Sequence, residues 1–340
     1  MRIGIYKDTL SNRRGADMVV LALAEGLRER GHDALVFEKP DFAKRTAEPW
    51  DVLISTGTNE LLDLYDCCAG RSTSRSCPDT PANPVGKAFP WPVIQQFHTN
   101  PKSQFKWKRL VRNWRIGRAL RRVSAIQVLG ESFVPLVMKF RVPVEVIGNW
   151  SRYQSLASQS SVPQLSTIIY PAAFAKGKNQ KLLIEAFSRV AAEFPEWGLR
   201  LLGRADGAYA EECRRLAVRT AAGNRIAFRG FSEDLAHEYA QCAFVAFPSL
   251  DEGFGLVIAD AAAFAKPCVM VRDWIGTVKA HGGVKTEQAV AAYADGLRRL
   301  MADGTLRRNM GEAAREFCAA SYSREKILAE WESLIRNVAR

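Results

Sequence analysis

Long apolar runs are missing from this 340-residue chain: no stretch approaches the ~20 residues that a bilayer-crossing helix requires. A helical membrane-spanning protein is thereby excluded as an expectation. The seven cysteines are an odd number and form no C-x-x-C pair. No zinc knuckle is readable, and no structural metal is expected. Cys67 and Cys68 are adjacent, while Cys213, Cys242, Cys268 and Cys318 fall in apolar segments. That pattern points to thiols in a reducing compartment. Histidine is scarce, with four in the chain, so one placed at a strand end stands out. The opening Met1-Arg2-Ile3-Gly4-Ile5-Tyr6 lacks the build of a signal peptide and reads as a buried strand.

What is present is a chain of ordinary globular composition, 47% hydrophobic and 25% charged, with a net charge of +12. Its length predicts two domains. Its charge predicts an anionic partner: a nucleotide, an acidic glycan, a nucleic acid or an anionic lipid. Apolar strands alternate with helical periodicity throughout. Val20, Leu23, Ala24 and Leu27 recur at helical spacing after the first strand and are closed by Gly31. Strands follow at 32–37, 51–55, 92–97, 125–129 and 144–147. A loop rich in serine and proline is expected from Asp66 to Pro92. Residues 151–165, rich in Ser and Gln, read as a linker. Further strands are expected at 166–170, 199–202, 226–231, 243–247 and 268–271. Alternation of this kind predicts an α/β protein with parallel sheets.

The most informative stretch runs from Phe247 to Val271. An apolar strand stops at Pro248, and a loop carries Glu252-Gly253-Phe254-Gly255. A helix is expected from Leu256 to Ala265, then Lys266-Pro267 and a second strand. A strand, glycine-rich loop and helix in this order direct free backbone N–H groups and a helix dipole at whatever lies above the loop. Glu252 and Asp260 supply carboxylates, which suit hydroxyl-rich ligands. A ligand joining a diphosphate to sugars uses both features.

This stretch resembles the donor-sugar site of retaining GT-B glycosyltransferases of family 4, the glycosyl transferases group 1. Their signature is an acid, seven residues and a second acid around E-G-F-G-L, followed by a G-K-P-like turn. Glu252 and Asp260 fit the spacing, although the second acid of the family is normally Glu. The resemblance implies a GT-B fold: two Rossmann-like domains facing a cleft, with a C-terminal helix crossing back to the first. The expected boundaries are 1–150 for an acceptor domain, 151–165 for the linker, 166–322 for a donor-nucleotide domain and 323–340 for the returning helix.

The resemblance also assigns roles. Glu252 would orient the sugar, and Asp260 would hold the ribose hydroxyls. Lys178 takes the place of a diphosphate-gripping lysine. The family's preceding Gly-Arg is replaced by Ala172-Ala173, so Lys176 becomes a candidate for the missing cation. Gly203 and Arg204 stand at the turn beside the nucleotide. Phe254, Gly255 and Leu256 lie at the helix mouth. Gly15, flanked by Arg13 and Arg14, corresponds to the glycine under the diphosphate; a plain helix start with solvated arginines is the other reading. His98, at the end of the 92–97 strand, matches a histidine near the acceptor hydroxyl; a loop-capping histidine is the alternative.

The implied activity is transfer of a sugar from a nucleotide diphosphate sugar to a hydroxyl of a glycan or lipid-linked acceptor. It is expected to proceed with retention and without metal or cofactor, in cytoplasmic synthesis of bacterial surface polysaccharide such as lipopolysaccharide. Two rival readings are a sugar-nucleotide epimerase or hydrolase of the same fold, and a non-enzymatic basic module. The basic module has its own source in Lys102–Arg122, which contains no acid and carries Trp107, Leu110, Val111 and Trp114 at helical spacing. Such a helix suits the anionic surface of the inner membrane. Alternatively, its apolar stripe packs on its own sheet. Nucleic acid is not expected, because aromatics are not interleaved in a stacking pattern elsewhere.

Overall fold

The computed structural model describes residues 1–10, 15–68, 89–105, 109–155 and 164–340. They divide into two compact units, Met1–Asn149 with Arg324–Arg340, and Trp150–Ser323.

The first unit is built on six parallel strands, β1 (Arg2–Tyr6), β2 (Asp33–Phe37), β3 (Val52–Ser55), β4 (Val93–Gln96), β5 (Ala125–Val128) and β6 (Val144–Val146). Their spatial order is β2-β1-β3-β4-β5-β6. Ile3, Ile5, Val52, Leu53, Ile54, Ile94 and Ile126 are fully buried, as strands covered on both faces require. Among the described residues, the helices between them are α1 (Gly15–Glu29), α2 (Phe42–Thr46), α3 (Thr58–Cys68), α4 (Pro101–Gln104), α5 (Leu110–Leu120) and α6 (Val134–Val137). The strand order reverses between β1 and β3.

The C-terminal helix, Arg324–Ala339, belongs to this unit. It buries Ile327, Leu328, Trp331, Leu334 and Ile335. A Cβ on Gly26 of α1 would lie 2.6 Å from the Leu328 side chain, so the glycine sets how closely the two helices approach. Glu332 joins both Arg30 and His32 at 2.8 Å.

The second unit contains β7 (Thr167–Pro171), β8 (Gly198–Leu202), β9 (Ile226–Gly230), β10 (Phe244–Phe247), β11 (Cys268–Met270) and β12 (Gly283–Lys285). All pairings are again parallel, in the order β12-β11-β10-β7-β8-β9. Counted within the unit, this is the 3-2-1-4-5-6 order of a dinucleotide-binding sheet. The helices are α7 (Gln180–Val190), α8 (Ala208–Val218), α9 (Leu235–Gln241), α10 (Leu256–Ala263), α11 (Val290–Ala302) and α12 (Gly304–Ser321). The order reverses between β7 and β10, whose carboxyl ends therefore open onto a crevice.

Several expectations change. The basic segment is not one helix: α4 ends at Gln104 and α5 begins at Leu110, while Lys106, Trp107 and Lys108 lie outside the described residues. The expected loop from Asp66 starts later, because α3 continues to Cys68; residues 69–88 of that loop, including Cys77, are outside the described residues. Cys67 is disulfide-bonded, contrary to the expectation of thiols throughout, whereas Cys68, Cys213, Cys242, Cys268 and Cys318 are free. Among the described residues, no helix is long and apolar enough to cross a membrane.

Candidate active site

The switch point of the second unit brings the loop after β7 against the loop after β10. Beyond β7 the chain stays beside the end of β8, with Ala172 N–H donating to Leu202 O at 2.7 Å and Phe174 N–H to Arg204 O at 3.0 Å. Gly203 makes this approach possible. Its φ is +137°, and a Cβ there would sit 2.4 Å from Ala172 O. A 3-10 turn follows at Lys176–Lys178, and Asn179, with φ +56°, redirects the chain into α7.

Three bonds fix that turn. Gly177 O accepts from Leu250 N–H at 2.8 Å and from the Ser249 hydroxyl at 3.3 Å. The Tyr170 hydroxyl donates to Lys178 O at 2.8 Å. With its backbone held, Lys178 directs Nζ to Glu252 Oε1 at 2.5 Å. The ammonium side chain is 31% exposed and the carboxylate 14%, so the pair faces solvent while partly shielded from it. A half-desolvated ion pair of this kind is a positive charge that an incoming anion can engage, beside an acceptor for hydroxyl groups.

Glu252 lies at the approach to α10. Phe254 is buried, edge-on to Tyr322 with ring centroids 5.0 Å apart, so at this position the chain offers a ligand backbone rather than a ring. Gly255 caps α10 with φ +91° and supplies no capping side chain. The first N–H groups of the helix, beginning at Leu256, have no intrahelical acceptor, and the helix dipole favours an anion there.

Asp260 sits further along α10. The Ser151 hydroxyl donates to its Oδ1 at 2.6 Å, which places Ser151, expected in the linker, inside this unit. Burial raises the Asp260 carboxyl from 3.8 to about 6; the Ser151 bond and the charge of Arg152 oppose the rise.

The remaining cationic candidates stand elsewhere. Lys176 is exposed, and its charge acts on Glu212. Arg204 is exposed and lies 3.7 Å from Asp206. Two further groups carried no signal in the sequence. The Trp274 indole nitrogen and the Thr277 hydroxyl are buried without a protein partner. Trp274 also flanks the helix mouth, since a Cβ on Gly255 would lie 3.2 Å from the Trp274 Cβ. Buried donors left unpaired in this way are candidates for a ligand or water.

In the first unit the switch point holds a second cluster. Lys7, just after β1, meets Glu60 of α3 at 3.0 Å, and Asp8 N–H donates to the same oxygen at 3.2 Å. A Cβ on Gly57 would lie 2.4 Å from Glu60 Oε2, so a larger residue where β3 turns into α3 would push the Glu60 carboxylate aside. His98, following β4, is electrostatically coupled to both charges. Its Nε2 is buried without a partner. Burial first, and then the charge of Lys7, lower its pKa from 6.5 to about 4, against the opposing effect of Glu60. The ring is therefore neutral at physiological pH. Gly15 starts α1 and is exposed, while Arg13 and Arg14 lie outside the described residues. The spacing of Lys7 and Glu60 gave no hint of this pairing, which only the strand order creates.

A hollow of ≈ 470 Å³, lined by Trp197, Arg200, Arg225 and neighbours, opens at the opposite ends of β7, β8 and β9. Ligands in open parallel sheets bind at the carboxyl ends, so this hollow is not assigned to the site.

Residues 155–317 match the family described as Glycosyl transferases group 1. Among curated relatives, an exopolysaccharide phosphotransferase of Streptomyces coelicolor is 29% identical over 174 residues, covering 49% of this chain and 18% of that protein. The N-acetyl-alpha-D-glucosaminyl L-malate synthase of Bacillus anthracis is 30% identical over 177 residues, covering 51% of this chain and 46% of the relative. The alignments thus span less than half the length of either relative. Among solved structures, Anabaena HepE in complex with UDP matches with a TM-score of 0.75 at 17% identity, over 99% of this chain and 100% of that one. At that identity the likeness establishes the fold, which is GT-B.

Proposed function

We propose that this chain, whose residues 155–317 belong to the glycosyl transferases group 1 family, transfers a glycosyl group from a nucleotide diphosphate sugar to a hydroxyl of a glycan or lipid-linked acceptor. The observation that carries this reading is the Lys178–Glu252 pair at the switch point, beside the uncapped mouth of α10. In the proposed reaction the bond from the anomeric carbon to the diphosphate oxygen breaks and that carbon bonds to the acceptor oxygen. The acceptor proton passes to the departing diphosphate, which also takes the bonding electrons. Configuration is retained.

Stabilising the departing charge is the main task. Lys178 and the first N–H groups of α10 supply it, without a metal ion. Glu252 accepts hydrogen bonds from the sugar hydroxyls and steadies the cationic character that develops at the anomeric carbon. Asp260 accepts from the ribose. In the first unit, neutral His98 can exchange one hydrogen bond with a hydroxyl. The UDP held by the Anabaena structure makes uracil the first base to test. The relative acting on exopolysaccharide supports a role in the synthesis of surface polysaccharide.

A thermal-shift panel of nucleoside diphosphates and nucleotide sugars tests donor binding and base together. One of them should raise the melting temperature of the parent protein and do so less in the Lys178→Ala variant. A chain that none of them stabilises refutes the reading. Turnover of a nucleotide sugar with no acceptor requirement indicates an epimerase or hydrolase instead.

A further inference from the structure

Among the described residues of the first unit, the outer face of α5 gathers three exposed large apolar side chains. Leu110 is 76% exposed, Val111 75% and Trp114 58%, although the helix has a separate inner face that buries Ile116, Ala119 and Leu120. At 3.6 residues per turn, the three outer residues share a sector of about 100°. Arg118 and Arg121 continue that sector. The Arg118 guanidinium lies over the Trp114 ring at 4.9 Å. Lys102, Arg109, Arg121 and Arg122 are exposed, and no acid occurs from Lys102 to Arg122.

The cations of this segment fall into two groups. Arg112 turns inward to Gln104 O at 3.1 Å and to Asn59 at 2.6 Å, and Arg115 pairs with Asp66 of α3. These two hold the helix in place. Arg118 lies against the outer Trp114 ring, Arg109 immediately precedes Leu110 and Arg121 shares the outer sector.

We propose that the Leu110–Val111–Trp114 face of α5 inserts into the headgroup boundary of an anionic lipid bilayer, with Arg109, Arg118, Arg121 and Arg122 engaging the lipid phosphates. A bilayer supplies both apolar depth and negative charge, which is the combination this face complements. A second copy of the chain would set one all-cationic rim against another, and like charges there repel. A nucleic acid would leave Leu110 and Val111 in water. The inference stands apart from the transfer reading, because none of these residues belongs to the nucleotide site.

The test is co-sedimentation of the full chain with vesicles of phosphatidylcholine, with and without phosphatidylglycerol. Binding should require phosphatidylglycerol and weaken with salt. Arg118→Ala and Arg121→Ala should each lower affinity about fivefold. Val111→Asp and Trp114→Asp should each lower it by about tenfold or more, with thermal unfolding and nucleotide-induced stabilisation unchanged. Equal binding to both vesicle types, no binding, or binding indifferent to Val111→Asp and Trp114→Asp overturns the proposal. So does a vesicle-independent self-association, seen by sedimentation velocity, that Trp114→Asp abolishes. A chain that transfers sugar to a soluble acceptor without binding vesicles loses this inference and keeps the proposed function.

Discussion

Asp260→Asn is the substitution whose consequences can be worked furthest. In the folded chain the carboxyl titrates at about 6 instead of 3.8, because burial disfavours its charge. The folded state therefore holds a proton at pH values where the unfolded state has released it. Stability from this group is highest below about 4, falls as pH rises towards 6, and stays reduced above that. The gap corresponds to about 3 kcal/mol at neutral pH. An asparagine keeps an oxygen to accept the Ser151 hydroxyl and removes the buried charge. The variant should thus be more stable than the parent at neutral pH, by up to about 3 kcal/mol, and the difference should shrink on acidification. Urea melts on either side of about 6 measure this.

The same substitution should weaken donor binding, since the proposed ribose contact needs an ionised acceptor. Binding to the parent should then tighten as pH rises through about 6, and below that value it should release a proton. A nucleotide sugar is the suitable probe, because its esterified diphosphate has no titration in this range. Calorimetry in buffers of different ionisation enthalpy reads the proton directly. If Asp260→Asn retains the same pH dependence of binding, or gains no stability at neutral pH, the account of this carboxyl is wrong.

Glu252→Ala should abolish transfer while circular dichroism stays unchanged, and Lys178→Ala should lower kcat by about 10²–10³-fold; a fully active variant of either removes the pair from the mechanism. Gly203→Ala should destabilise the second unit by about 2 kcal/mol or more, since the new Cβ meets Ala172 O at 2.4 Å and φ is +137°. A thermal melt matching that of the parent would contradict the packing described. His98 should titrate near 4 by NMR, and its depressed value means that its share of stability, present above 6.5, is lost as pH falls towards 4. A ring that titrates near 6.5 would show that it is not buried as described.

The strand, loop and helix of the candidate site from Phe244 to Ala263 were legible in the sequence because every element is local. A strand, a glycine that must adopt φ +91° at Gly255, and a helix with no side-chain cap all lie within consecutive residues. The parallel α/β class was equally legible, since Val52, Leu53 and Ile54 of β3 and all four residues of Phe244–Phe247 are apolar and buried, as a two-sided sheet requires. Element ends were less so. The helix expected to reach Ala265 stops at Ala263, and Ala265 takes φ +51°. The backbone of Gly311 passes so close there that a Cβ would lie 1.9 Å from Ala265 O, and no local signal announces a contact made from that distance in sequence. The Lys7–Glu60 pair was invisible for the same reason: it exists because β3 lies beside β1.

Pairings across long sequence separations also decide what the missing arginine means. At Ala172 and Ala173, where the resemblance leads one to expect Gly-Arg, neighbouring backbone holds the chain, with Ala172 N–H donating to Leu202 O at 2.7 Å. Ala172 O lies against Gly203, and Ala173 O accepts the Gln180 amide at 3.0 Å. The turn that presents Lys178 closely follows these two small residues. Lys176, two residues earlier on that turn, acts on Glu212, whereas Lys178 alone of the candidate cations bonds Glu252 among the described contacts. The strain at Asn179 and the three bonds to Gly177 and Lys178 fix a flexible lysine where a rigid guanidinium is absent. In this chain, then, precision in placing the positive charge comes from the backbone that carries Lys178 rather than from the shape of the cation.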